Sequence, residues 1–287
     1  MKEDIKTFLE YLATKKNCSQ STLAAYRNDL NQLMAYIEAE RAKGIIKSSG
    51  ELLKSYLLNL RERRYSTATV ARKVASAKSF FKFMVDSGKL KENPTRNLIS
   101  PRVSKHPPKF LSPSEYQRLL GEPKKLSTPE AKRNVVMLEL LYATGLRASE
   151  LVSLNVKDID LERSCVHCAH SSSKRRIPFD HHINQLLKNF LEDARLDLLY
   201  DEKEKALFLN RRGGRLTRQG FWQIVKNHAS KAGLSAKITP HTLRHSFAAH
   251  KLQSGADLQS IQRSLGHAYI SSTRIYKQSS SLAKVSE

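Results

Sequence analysis

The sequence predicts a mainly α-helical protein of two domains, with a small antiparallel sheet in the second. Apolar residues recur every three or four positions along most of the chain, which indicates helices that each bury one face. Short strand-like segments occur only in the second half. Prolines interrupt any regular element between residues 94 and 108. We therefore expect a helical domain over residues 1–93, a linker over 94–108 and a C-terminal domain over 109–287.

Four helices are expected in the first domain. The first contains Ile5 and the apolar residues that follow it, and Ser19 is a suitable N-cap for the second. The third carries the apolar residues between 52 and 60. The fourth begins near Ser66 and ends at Gly88, a residue that commonly terminates helices. These elements together predict a compact helical module.

The second domain is expected to begin with a capped helix at Ser112 and to contain a helix over 134–142 that is apolar on nearly every side and therefore buried. Three strand-like segments follow, over 154–160, 164–168 and 175–179. Further helices are expected over 183–194 and 221–232, then after Thr239-Pro240 and after Asp257. The strands predict a small sheet enclosed by helices.

The charge of the chain is strongly unbalanced, with 50 Lys+Arg against 27 Asp+Glu and a formal net charge of +23. Such an excess is expected of a protein that binds a polyanion, with nucleic acid as the first candidate and a membrane surface as the rival. No apolar run approaches the ~20 residues that span a bilayer. The polar residues after Met1 do not resemble a signal peptide. We expect a soluble, cytoplasmic protein that binds no membrane.

A basic cluster surrounds the predicted start of the fourth helix and comprises Arg61, Arg64, Arg72 and Lys73. Backbone N–H groups at a helix start also favour phosphate, so we interpret the cluster as a DNA-contacting face. The alternative is a solvated surface that only confers solubility.

The three cysteines include a Cys-x-x-Cys pair, Cys165 and Cys168. No second pair follows, and a spacing of three residues on a strand directs two side chains to opposite faces. We therefore expect neither a metal site nor a redox site at this pair.

Four patches in the second domain carry residues suited to one chemistry: Thr144-Gly145-Leu146-Arg147-Ala148-Ser149-Glu150, His241-Thr242-Leu243-Arg244-His245, Leu265-Gly266-His267, and Tyr276. The guanidinium group of arginine can bind two phosphate oxygens at once, and imidazoles can accept or donate protons. Tyrosine can act as a covalent nucleophile. The set predicts attack by a phenol on a phosphodiester, a reaction that needs no metal and no other cofactor.

In this order and combination the patches resemble those of the tyrosine site-specific recombinases and integrases, most closely the Xer type. The resemblance covers nearly the whole chain and implies a SAM-like core-binding domain followed by the catalytic domain of that family. It assigns as catalytic Arg147, His241, Arg244, His267 and the nucleophile Tyr276. Glu150, three residues after the first arginine, is expected to orient it. For His245 two interpretations are open: a histidine that only packs its helix or is exposed, or, as the resemblance implies, a residue that supports the catalytic groups.

The chain departs from the family pattern in one place. The family carries a catalytic lysine in the turn of the hairpin, where it protonates the leaving 5′ oxygen. A count back from Pro178 without gaps puts His170 at that position, whereas Lys174 lies four residues later. Either His170 replaces the lysine, or Lys174 reaches the site from a turn of altered length. A third alternative is weakened or lost activity.

The resemblance implies a recombinase that cleaves double-stranded DNA through a 3′-phosphotyrosyl intermediate and passes the strand to a partner duplex, with four like or unlike protomers on two DNA sites. Two alternatives remain at this point. One is a recombinase-derived DNA-binding protein, which the altered hairpin favours. The other is a type IB topoisomerase-like relaxase, which shares the chemistry but acts alone.

Overall fold

A computed structural model describes residues 1–42, 49–103, 109–168, 174–267 and 269–276. The chain forms two compact units, residues 1–105 and 106–287. Both are helical, and the second also contains a three-stranded antiparallel sheet. The predicted fold class is confirmed. No helix in the described ranges is long and apolar enough to cross a membrane.

The first unit consists of helices α1 (Lys2–Thr14), α2 (Gln20–Ala42), α3 (Ser49–Glu62) and α4 (Thr67–Asp86). The hydroxyl of Ser66 accepts the Thr69 N–H and caps α4, as its position before an apolar run favours. The four helices enclose one apolar core around Phe8 and Phe80, whose rings meet edge to face at 5.5 Å. Leu98, from the first part of the predicted linker, also packs in this core.

A buried ion pair joins α2 to α4. The ammonium group of Lys73 donates to Asp29 at 2.9 Å and to Gln32, and Lys73 is only 4% exposed. Arg72 contacts the second oxygen of Asp29 but keeps an exposed side chain. The assignment of Lys73 to a DNA-contacting face is therefore wrong, because its ammonium group is buried and paired with Asp29. Arg61 and Arg64 are exposed.

The second unit is built on α6, a buried helix contacted by helices on several sides. Its α-helices are α5 (Pro113–Lys124), α6 (Pro129–Thr144), α7 (Ala148–Ser153), α8 (His181–Glu192), α9 (Ala194–Asp197), α10 (Arg218–Lys231), α11 (Pro240–Gln253) and α12 (Leu258–Leu265). Residues 271–276 are also helical. The expected capping box at Ser112 and Glu115 starts α5.

The sheet contains β1 (Ile159–Asp160), β2 (Cys165–His167) and β3 (Arg176–Pro178) in sequential order. Val166 and Ile177 are cross-strand partners on the face that packs in the core. Asp160, opposite Cys165, lies on the other face. Most of the predicted strand 154–160 is not a strand, because Val156–Asp158 forms a 3₁₀ turn capped by the Asp158 carboxylate.

Candidate active site

The end of α6 places the first arginine. Gly145 ends the helix in the left-handed conformation, with φ of 62°, and a Cβ atom there would lie 2.4 Å from the Phe247 ring. Only glycine meets both conditions without strain. The chain then turns at Leu146 and begins α7, with Arg147 as its N-cap residue. Arg147 is thus fixed between two helix ends.

The carboxylate of Glu150 organises two arginines. Its oxygens accept the Arg147 backbone N–H at 2.7 Å and the Arg147 guanidinium at 2.9 Å. Arg175 binds the same carboxylate through two N–H groups, both at 3.0 Å. Glu150 is buried, so these charge-assisted bonds are only weakly screened by solvent. The expected orienting role of Glu150 agrees with this geometry.

The second arginine, Arg244, is held by main-chain carbonyl groups. It lies on α11 and is only 3% exposed. Its guanidinium donates to the carbonyl oxygen of Gly145 at 2.5 Å and to that of Leu265 at 2.6 Å. Burial and the nearby charge of Arg147 lower the pKa of Arg244 to about 10, so the group stays protonated at neutral pH. Arg244 is therefore a desolvated cation, whereas the side chain of Arg147 is 36% exposed.

A cleft of about 380 Å³ brings these arginines together with the first histidine. Arg147, Arg244 and His241 all line it. Burial of the imidazole and the charge of Arg244 lower the pKa of His241, although the residue as a whole is exposed. Arg218 and Trp222 of α10 form another part of the wall. The cleft can hold an anion between fixed cationic groups.

The proposed nucleophile, Tyr276, is 2% exposed and packs against Phe247 and Leu265. Its hydroxyl lies 2.8 Å from Nδ1 of His245. Burial and the neighbouring His241 lower the pKa of His245 to about 4, so the imidazole is neutral at pH 7. Burial raises the pKa of Tyr276. In the neutral tautomer that carries its proton on Nε2, this imidazole can accept the phenolic proton at Nδ1.

His267 follows the C-cap of α12, Gly266, which has a φ of 62°. Nδ1 of His267 lies 3.0 Å from the buried hydroxyl of Thr273. Burial and the charge of Arg244 lower the pKa of His267 to about 4. The carbonyl oxygen of Gly266 accepts Arg147 at 3.0 Å. The Leu-Gly-His patch thus supplies an imidazole and also an acceptor that fixes the first arginine.

The hairpin gives a residue that the sequence reasoning missed. Arg175 binds Glu150 and also donates to the carbonyl oxygen of Ser264 at 2.8 Å. Alternation along the strand contained the signal, because Arg175 lies two and four positions before the buried Ile177 and Phe179. An arginine on an apolar face requires a buried acceptor. Lys174 is exposed, and His170 lies outside the described residues.

Two other site features were also missed. Trp222 lies in the predicted helix 221–232 and Arg218 lies before its predicted start. Spacing along this helix does not reveal that both residues line the cleft. The bond between His245 and Tyr276 joins residues 31 positions apart, and no local pattern indicates it.

Comparison with known proteins identifies the family of this chain. Residues 109–282 match the model of the phage integrase family, and residues 5–88 match its N-terminal SAM-like domain. The chain is 45% identical over 279 residues to tyrosine recombinase XerC of Roseiflexus sp. (strain RS-1), covering 96% of this chain and 89% of the relative.

Tyrosine recombinase XerD of Oceanobacillus iheyensis is 40% identical over 275 residues, which covers 95% of this chain and 92% of the relative. The structure resembles that of the XerH site-specific recombinase bound to difH substrate in a pre-cleavage complex, with a TM-score of 0.69. The two sequences are 26% identical, and the match covers 97% of this chain and 84% of that one. The chain therefore belongs to the Xer-type tyrosine recombinases of the phage integrase family.

Proposed function

We propose that this recombinase cleaves duplex DNA by attack of the Tyr276 hydroxyl oxygen on a phosphodiester and forms a 3′-phosphotyrosyl bond. The observation that carries the proposal is the convergence of Arg147, Arg244 and His241 on one cleft, within the unit that also holds Tyr276 beside His245. The new P–O bond replaces the bond to the 5′ oxygen, so bond energy is kept for rejoining.

The arginines lower the barrier by stabilising charge. In the pentacoordinate transition state, negative charge collects on the non-bridging oxygens of the phosphate. Arg147 and Arg244 are held in place before the reaction by Glu150 and by carbonyl groups, so little reorganisation is needed as the charge develops. His241 adds a hydrogen-bond donor or acceptor on the same wall.

The proton of Tyr276 passes to Nδ1 of His245 as the P–O bond forms. His245 is neutral at physiological pH and lies within hydrogen-bond reach of the phenol, so it can accept the proton; its pKa of about 4 makes it a weak base before DNA binds. Since Tyr276 is almost fully buried, its hydroxyl must become accessible before attack. We infer that docking of the DNA is coupled to a movement of the segment 271–276.

The 5′ oxygen leaves with a proton from the hairpin. Lys174 and His170 are the candidates, and we favour Lys174, whose side chain is exposed and of the residue type that the family uses as the acid. A substrate with sulfur in place of the scissile 5′ oxygen needs no such proton. Removal of the true acid should slow cleavage of the ordinary substrate by ~10²–10⁴-fold and of the thio substrate far less. Normal cleavage of the ordinary substrate by both Lys174→Ala and His170→Ala would exclude the two residues.

The partner is double-stranded DNA, and we propose that four protomers, alike or of two kinds, act on two duplex sites in the cytoplasm. The net charge of +23 supports a polyanionic partner. The similar XerH structure is a complex with its difH substrate, which supports a specific DNA site here.

Covalent trapping on nicked suicide DNA tests the nucleophile. Wild-type protein and Tyr269→Phe should each form a detergent-stable adduct, whereas Tyr276→Phe should bind DNA but form none. Tyr269 is a matched control because it is a nearby exposed tyrosine. An adduct with the Tyr276 variant would overturn the assignment. Supercoil relaxation without recombinant products from paired sites would instead indicate a relaxase.

A further inference from the structure

The outer face of the small sheet carries a cluster of potential metal ligands away from the arginine cleft. Asp160 and Cys165 are cross-strand partners on β1 and β2, and His167 lies two residues beyond Cys165. Because side chains two residues apart share a face of a strand, all three project to the same side of the sheet. The opposite face, with Val166 and Ile177, packs in the core.

The distances suit one ion. Nε2 of His167 lies 3.7 Å from Sγ of Cys165 and 3.7 Å from a carboxylate oxygen of Asp160, and the three ligand atoms all lie within 4.8 Å of one another. A tetrahedral zinc with bonds of ~2.0–2.3 Å holds its ligand atoms ~3.3–3.7 Å apart. Small side-chain adjustments are sufficient to reach that geometry.

We propose that Asp160, Cys165 and His167 bind a divalent transition metal, with Zn²⁺ the ion that best matches a thiolate, an imidazole and a carboxylate. Three protein ligands leave the fourth position to water. One oxygen of Asp160 accepts the Arg163 backbone N–H at 2.9 Å, which orients the carboxylate and leaves the other oxygen directed at His167.

The site differs from the Cys-x-x-Cys pair considered in the sequence. Cys168 is buried and does not belong to the cluster, so only one of the two thiols is a ligand. The guanidinium of Arg163 lies 3.7 Å from Asp160 and competes with a cation, but its side chain is 73% exposed and free to move away. Arg176 faces His167 across the sheet and is exposed as well.

A metal here would act on the hairpin rather than on the phosphate. It would clamp β1 to β2 through Asp160 and Cys165. β2 in turn pairs with β3, where His167 lies opposite Arg176, the residue after Arg175. Arg175 in turn binds Glu150 of the active site. The ion would therefore brace β2, the strand with which β3 is paired, without taking part in bond cleavage.

The test is titration of the chelator-treated full-length protein with Co²⁺, followed by competition with Zn²⁺. Wild-type protein and Cys168→Ser should show thiolate-to-cobalt charge-transfer absorption at one equivalent, and Cys165→Ser should show none. His167→Gln and Asp160→Asn should weaken Zn²⁺ binding by at least the ~10–100-fold that loss of an outer-shell partner costs. Arg163→Ala, which removes the competing cation, should not weaken it.

Circular dichroism of each metal-free variant checks that the variant folds. If Cys165→Ser does not fold, His167→Gln still tests the proposal, because His167 is partly exposed and its replacement disturbs the fold less. Zn²⁺ should raise the unfolding midpoint of the wild type and of Cys168→Ser but not that of His167→Gln. Absence of the absorption band in the wild type, or its persistence in folded Cys165→Ser, would overturn the proposal.

Discussion

Glu150 is the residue on which most of the arginine geometry depends, because its carboxylate binds both Arg147 and Arg175. We expect Glu150→Gln to reduce single-turnover cleavage by ~10–100-fold, the range seen when an orienting partner is removed. Affinity for DNA should change little, since both guanidinium groups remain.

The matched control is Glu139→Gln, a buried glutamate of the same unit that accepts the Tyr116 hydroxyl. Its amide oxygen can still accept that bond, so cleavage should stay near wild type. Equal loss of activity in the two variants would show that Glu150 acts through general stability alone.

The histidines make stability depend on pH. The pKa of His245 falls from its ordinary value of 6.5 to about 4 in the folded chain, and His267 behaves alike. Between those values the unfolded chain binds more protons than the folded chain, so the free energy of unfolding should decrease as pH falls from 6.5 to 4.

Denaturant unfolding at several pH values measures this dependence. The His245→Gln variant should show a shallower decrease over the same range, because one of the protonating groups is gone. An unchanged slope would mean that His245 titrates normally in the folded protein.

At the scale of elements, the turn after α6 couples the site to the core. Gly145→Ala introduces both a left-handed alanine, which costs ~1–2 kcal/mol, and a clash with the Phe247 ring. Overpacking of this kind costs a further ~1–3 kcal/mol.

Gly255 provides the control, with φ of 86° and nothing within 4 Å of an added Cβ. Gly255→Ala should therefore lower the free energy of unfolding only by the backbone cost, and Gly145→Ala by clearly more. The denaturant midpoint reports both. Equal losses would show that the Phe247 ring moves aside freely.

The elements also show what the sequence could predict. Thr239 and Pro240 start α11, and Ser112 with Glu115 starts α5, because capping depends on residues within one turn. The pairing of Lys73 with Asp29 spans 44 residues. No local pattern distinguishes such a buried lysine from its exposed neighbours. Arg175 differs, because its alternation with the buried Ile177 and Phe179 is a local signal.

The sequence patches of the active site could be recognised for a different reason. Their residue types and their order along the chain match one family, and this match does not depend on knowing their contacts. Glu150 was expected as the partner of Arg147, but the other partners were not predicted. Which carbonyl holds Arg244, or which imidazole faces Tyr276, depends on how α11 packs against α12 and on the segment that follows.

At the scale of the whole molecule, the net charge of +23 should make DNA affinity fall steeply with salt. Each neutralised phosphate contributes ~0.9 to the log–log slope on duplex DNA, so Arg64→Ala, which removes an exposed residue of the proposed DNA-contacting face, should reduce the slope by ~1.

Lys73→Met gives the contrast, because the buried Lys73 has its charge paired with Asp29. It should lower thermal stability and leave the salt slope unchanged. Fluorescence anisotropy at several salt concentrations measures the slope. A slope reduced by Lys73→Met and unaffected by Arg64→Ala would reverse the assignment.

Three of the acceptors that fix the arginines are main-chain carbonyl oxygens, those of Gly145, Leu265 and Gly266. A peptide carbonyl does not titrate in the physiological range, and a point mutation cannot delete it. Much of the phosphate-binding geometry is therefore insulated from acidity and from most substitutions at the acceptor positions. The position of the arginines depends instead on the backbone conformation of these loops. Inherited substitutions there are therefore limited by the conformation that they allow more than by their side-chain chemistry.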